Sequence, residues 1–197
     1  MTALFRIMQV TQHIAVWTGR VAAWVAIPLI FVIVFDVITR RFFVLGSTKL
    51  QDLEWHLHAV LFLFCLGFAY MKDAHVRIDL VREKLSERTK LWIELIGCLL
   101  FLIPYASVVI YYGEDWWLRS FMLDEAAESA TGLPHRWIIK AALPIGFIVL
   151  LISAISMTLR KVLQLFGPPD VKKKVDEWEK PEPVEIEQVD LGDMRKG

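Results

Sequence analysis

Four long apolar runs, separated by short stretches that collect most of the charge, dominate this 197-residue chain. A helix that crosses a bilayer needs about 20 apolar residues to cover roughly 30 Å of hydrocarbon. The runs predict spans over about residues 21–38, 53–71, 91–112 and 137–159. Pro28, Pro104 and Pro144 fall inside three of them. Proline is tolerated in spanning helices, where neighbouring groups re-satisfy the freed backbone. Tyr111, Tyr112, Trp116 and Trp117 gather at the far end of the third run, as aromatic residues do at a membrane–water boundary. The expected fold is an all-α integral membrane protein with four transmembrane helices.

The pattern changes at both ends of this membrane domain, expected over residues 21–163. In residues 1–20, Ile7, Val10, Ile14 and Trp17 share one helical face, while Arg6, Gln9, Gln12, His13 and Arg20 occupy the rest. That spacing predicts an amphipathic helix lying in the membrane interface. The apolar run that follows is too long for a cleaved signal peptide. After the fourth span, Gly167-Pro168-Pro169 breaks the helix, and residues 164–197 are charged and poor in apolar side chains. Such a composition predicts a disordered tail, with Lys172, Lys173 and Lys174 near the lipid surface.

Charge sets the expected orientation. Net charge is zero, so nothing draws the whole chain toward nucleic acid. The distribution is uneven. Arg6, Arg20, the six basic residues of loop 72–90, Arg160, Lys161 and Lys172 to Lys174 lie on one side of the spans. Arg40, Arg41, Lys49, Arg119, Arg136 and Lys140 lie on the other. Basic residues accumulate on the cytoplasmic side. Both termini are therefore expected inside, with loop 113–136 and its acidic residues outside.

Little chemistry accompanies these spans. Asp36, Glu94 and Lys140 each lie within about two turns of a span end, where long side chains can snorkel to the interface, and Glu54 opens the second run at the interface. An ion-coupled transporter complete in one chain needs polar groups or broken helices at mid-membrane depth, and no such pattern stands out. Cys65 and Cys98 lie in apolar runs without metal-type spacing, and read as packing residues. No nucleophile elbow, zinc helix or phosphate loop occurs, so neither an enzyme nor a cofactor is expected. The alternative is an anchor or assembly subunit of another complex, such as a cytochrome b-like electron-transfer anchor. His13, His56, His58, His75 and His135 all fall at helix ends or in loops, which is unsuited to holding a haem within the membrane. The polar helix ends are the richer signal. Asp36 and Arg40, Glu54 and His58, Asp73 and Arg77, and His75 and Asp79 are each four residues apart, so each pair shares a helical face.

Several of these residues fall in a familiar order. Arg40-Arg41-Phe42-Phe43 is followed by Asp52-Leu53-Glu54, Gly67 and His75-Val76-Arg77-Ile78-Asp79, then Gly132-Leu133-Pro134, Trp137 and Pro144-Ile145-Gly146. Over about residues 15–160 the chain resembles the DctQ-like small membrane subunit of tripartite ATP-independent periplasmic (TRAP) transporters. The resemblance implies a bacterial inner-membrane protein with two partners. One is a large, DctM-like membrane subunit that carries the substrate and sodium sites. The other is a periplasmic, DctP-like binding protein that captures a solute, usually an organic acid. The small subunit would scaffold the large one and hold no substrate itself. On this reading Arg40, Arg41, Glu54, His75 and Asp79 are candidates for fixing helix ends or meeting the large subunit. Glu114, Asp115, Asp124, Glu125 and Glu128 are candidates for docking the binding protein. The long acidic loop and the extended tail depart from the common pattern. They are similar to the branch labelled for mannitol, chloroaromatic or 2-oxo acid uptake.

Overall fold

The computed structural model describes residues 2–43, 46–72, 84–127 and 131–179. Among them every regular element is helical: α1 (Thr2–Ala23), α2 (Ala26–Phe42), α3 (Thr48–Met71), α4 (Glu87–Gly97), a π-helical turn (Cys98–Leu102), α5 (Ile103–Met122), α6 (Trp137–Phe166) and α7 (Pro169–Glu179). Among the described residues, four continuous helical segments are long and apolar enough to cross a membrane: Ala3–Phe42, Thr48–Met71, Glu87–Met122 and Trp137–Phe166.

The prolines explain where two of these segments depart from regular α-helix. Pro28 has no N–H to offer the Trp24 carbonyl, and Ile27 takes it instead, at 3.2 Å. Tight i→i−3 bonds from Trp24 to Val21 and from Val25 to Ala22 mark the joint between α1 and α2. Pro104 would likewise press its ring on the carbonyl four residues back. The π-helical turn before it relieves that crowding, and the Ile103 N–H bonds five residues back to Cys98. Insertion of such a turn is a recognised cause of helix bending.

Capping sets the helix starts. Ser47 accepts from the Leu50 N–H at 3.4 Å, so α3 begins at Thr48, earlier than the apolar run alone predicts. Ser86 caps α4 in the same way, accepting from Thr89 at 3.2 Å. Such side-chain oxygens satisfy amide groups that the first turn leaves open.

Helix α6 is the central post, packed against α1, α3, α4, α5 and α7, whereas α2 packs chiefly on α3. One core cluster joins Ala106, Phe147 and Leu150, with Leu63, Leu66 and Tyr70 against it. Within a bilayer, small residues that let backbones approach are what hold helices together. Gly67 meets Val149 and Ser153, and Gly146 meets Leu63. Cys98 is a packing residue with a polar edge. Its thiol donates to the Ala154 carbonyl at 3.3 Å and accepts from Thr158 at 3.3 Å and Tyr70 at 3.5 Å.

Two stretches differ from their sequence expectations. Helix α5 continues to Met122, through residues read as the start of a loop. Trp117 stacks on Phe121, and Phe121 meets Trp137 edge to face, which extends the α5–α6 contact. The stretch after Gly167 forms α7 where a disordered tail was expected. Its Val175 is fully buried in a cluster with Met8 and Leu163. Residues 180–197 lie outside the described residues. The stripe Ile7, Val10, Ile14 and Trp17 is exposed on α1, and Met8, Ala15 and Ala22 face the bundle.

Candidate functional site

The polar groups gather at the two ends of the bundle, called here the loop end, which carries residues 123–136, and the terminal end, which carries α1's start and α7. Asp36, Glu94 and Lys140 were expected to snorkel outward. Each instead has an ion-pair partner within the chain.

At the loop end, Arg40 donates to the Asp36 carboxylate one turn back on α2. The Asp36 side chain is 4% exposed and the Arg40 side chain 50%, so the pair carries a charge from the protein to its surface. Exchanging the Gln51 amide oxygen and nitrogen, the assignment that satisfies both, lets the oxygen accept from the same guanidinium at 2.7 and 2.9 Å. That ties α2 to the start of α3. Arg41 is exposed. Glu54 is partly buried, and its Oε1 has no hydrogen-bond partner among the described residues. Asp36 Oδ1 is in the same condition. Arg40 and Glu54, singled out together from the sequence, are not joined by an ion pair among the described residues. His75 and Asp79 lie outside the described residues.

The described parts of loop 123–136, residues 123–127 and 131–136, are pinned at several points. Lys140, 8% exposed, donates to the Glu125 carboxylate and sits 4.4 Å from the centre of the Trp116 ring. A cation over an aromatic face is attracted by the ring quadrupole, more strongly when desolvated. The Arg136 amide donates to the Glu125 carbonyl at 2.8 Å, and the Arg136 guanidinium lies 3.8 Å from the Glu125 carboxylate. The hydrogen bond from Lys140 holds the Glu125 carboxyl below the usual glutamate range. Across the loop, the Ala127 amide donates to Leu133 at 3.2 Å. The Leu133 amide donates to Asp52 of α3 at 2.9 Å, and the Thr48 and Thr131 hydroxyls are 2.7 Å apart.

Asp124 and His135 both adopt positive φ, 42° and 57°, a conformation these residue types tolerate better than most. Their side chains meet at 2.7 Å. Of the acidic residues expected to dock a partner, Glu114 and Asp115 are exposed on α5. Asp124 is bonded to His135, and Glu125 to Lys140. Glu128 lies outside the described residues.

At the terminal end, Lys161 of α6 reaches Glu94 of α4 at 2.7 Å. Gln12 of α1 accepts from Arg160 at 2.9 Å and from the Trp178 indole at 3.1 Å. The Ser156 hydroxyl donates to the Met8 carbonyl at 3.1 Å. These contacts bind α1, α6 and α7 together. Sequence spacing exposes the Asp36–Arg40 pair because its members are one turn apart. It gives no such signal for Lys140 with Glu125, or Lys161 with Glu94, whose partners come from other elements.

Such an arrangement defines a polytopic helical membrane protein that neutralises span charges at its helix ends and leaves long apolar flanks outward. Exposed Trp24, Phe31, Phe35, Trp55, Phe101 and Tyr112 mark those flanks. The model of the family described as tripartite ATP-independent periplasmic transporters, DctQ component, matches residues 29–164, more than half of the chain, and the chain belongs to that family. It is thus a small permease subunit of a TRAP transporter and a multi-pass inner-membrane protein, and its family is a transporter component rather than an enzyme family. A search of curated proteins finds no match.

Proposed function

We propose that this subunit scaffolds the large, DctM-like membrane subunit of a sodium-coupled transporter that takes up an organic acid or related solute delivered by a periplasmic, DctP-like binding protein. One observation supports this most. Three charges that enter the spans are held in pairs at the helix ends, Asp36 with Arg40, Glu94 with Lys161 and Lys140 with Glu125, and a fourth, Glu54, lies near the start of α3. A solute path through the bundle would instead present polar groups to an aqueous cavity at mid-membrane depth. The apolar outer faces suit contact with another subunit and with lipid.

Both termini are cytoplasmic in this reading, from the bias of basic residues, and residues 1–20 lie along the interface. A reporter fused at Gly197 then reads cytoplasmic, and a periplasmic signal overturns the topology. Arg40, Arg41 and Glu54 help hold the large subunit near the periplasmic interface, with His75 and Asp79 as a second pair on the other side. The Arg40→Ala, Glu54→Ala double variant is expected to lose the large subunit on co-purification. Full recovery of a stable complex counts against that assignment. The acidic loop faces the binding protein. Neutralising Glu114, Asp115, Asp124, Glu125 and Glu128 together slows uptake at low salt, where surface charges act over the longest range.

A further inference from the structure

The acidic residues at the loop end are held in two different situations, and the difference assigns a role to Lys140. Glu114 and Asp115 are exposed on the last turns of α5. Glu125 is turned toward the bundle, where its carboxylate meets an ammonium that is 8% exposed. A buried ammonium without a counter-ion is costly, so the pair holds whatever carries the carboxylate. Glu125 carries the loop: its carbonyl accepts from Arg136 at 2.8 Å, and its amide donates to the Ser120 carbonyl at 3.1 Å. The Trp116 ring, 4.4 Å from the ammonium, closes the site from α5. One side chain at the start of α6 therefore ties the end of α5, the loop and α6 into one piece. Asp52 and Thr48 fasten the far side of the loop to α3.

We propose that Lys140 is the positioning residue of the docking platform, with Glu125 as its counter-ion and Glu114 and Asp115 as the charges offered to the binding protein. This rests on the reading that the loop end receives that protein. Lys140 acts through the loop and touches neither solute nor partner.

The test uses this chain assembled with its large subunit in nanodiscs, titrated with the labelled binding protein of the same transporter. Amide exchange over residues 123–136 is followed in parallel. Lys140→Met and Glu125→Gln are each expected to speed exchange in the loop. Each weakens docking by about tenfold, the effect expected when one strong polar interaction is removed. The double variant is no worse than either single one. Lys140→Arg, which keeps the charge, restores both readouts. Replacing Glu114 and Asp115 by Gln and Asn weakens docking while loop exchange stays as in the parent. Unchanged exchange in both Lys140→Met and Glu125→Gln overturns the brace itself. Faster exchange with unchanged docking overturns the platform reading on which it rests. If Lys140→Met fails to assemble, Glu125→Gln decides by the same two readouts.

Discussion

Gly146 of α6 backs onto Leu63 of α3 with no space for a side chain: a Cβ at residue 146 would lie 2.9 Å from the Leu63 carbonyl oxygen and 2.8 Å from its Cβ. The obstacle is partly backbone, which cannot swing aside as a side-chain tip can. Gly146→Ala is expected to push α3 from α6 and destabilise the bundle by about 1–3 kcal/mol, the usual cost of overpacking. Thermal unfolding of the purified subunit in detergent measures it. Gly97→Ala is the control, since nothing lies within 4 Å of a Cβ placed there.

Asp36 depends on Arg40. Arg40→Ala removes the guanidinium from a carboxylate that is 4% exposed. The expected cost is about 2 kcal/mol, between the values for exposed and fully buried pairs. Adding Asp36→Asn then recovers most of the loss, because the charge left behind is the main penalty. A double-mutant cycle on the unfolding midpoint reads the coupling. Equal midpoints for the single and double variants would sink the pairing.

Helix α7 is held by one apolar residue above all. Val175 is fully buried against Met8 and Leu163, and burying a valine is worth about 1.5–3 kcal/mol. Val175→Asp is expected to release α7 and raise trypsin cleavage at Lys172 to Lys174 by at least about tenfold, because a helix opens locally before it is cut. Val175→Ile leaves the cleavage rate close to that of the parent.

The Glu125 brace has a pH limit on the acid side. Its folded carboxyl is held below the ordinary glutamate value by Lys140. A lowered folded value means stabilisation that is complete above the unfolded glutamate pKa of about 4.3 and fades as pH falls through the folded one. The excess of loop amide exchange in Glu125→Gln over the parent isolates this group: it should be constant from neutral to about pH 5 and shrink below about pH 4, as the parent loses its own brace.

What was legible from the sequence follows the range of the interactions concerned. The spans depend on the apolarity of consecutive residues and the thickness of a bilayer, so four could be read directly. The Asp36–Arg40 pair is one helical turn long and was equally open to inspection. The family could be read from Arg40-Arg41, Gly67 and Pro144-Ile145-Gly146 in order along the chain. Other features needed the tertiary structure because their partners are remote. Residues 169–179 are too polar to predict as ordered, yet Val175 finds Met8 from the opposite end of the chain, and that contact makes a helix worthwhile. Lys140 looks like an ordinary interfacial lysine until loop 123–136 folds back and brings Glu125 to it. The same is true of Glu94 and Lys161. Hydropathy determined which residues enter the membrane. Packing decided which of their charges meet one another, since an ion pair between helices exists only once those helices have been placed side by side.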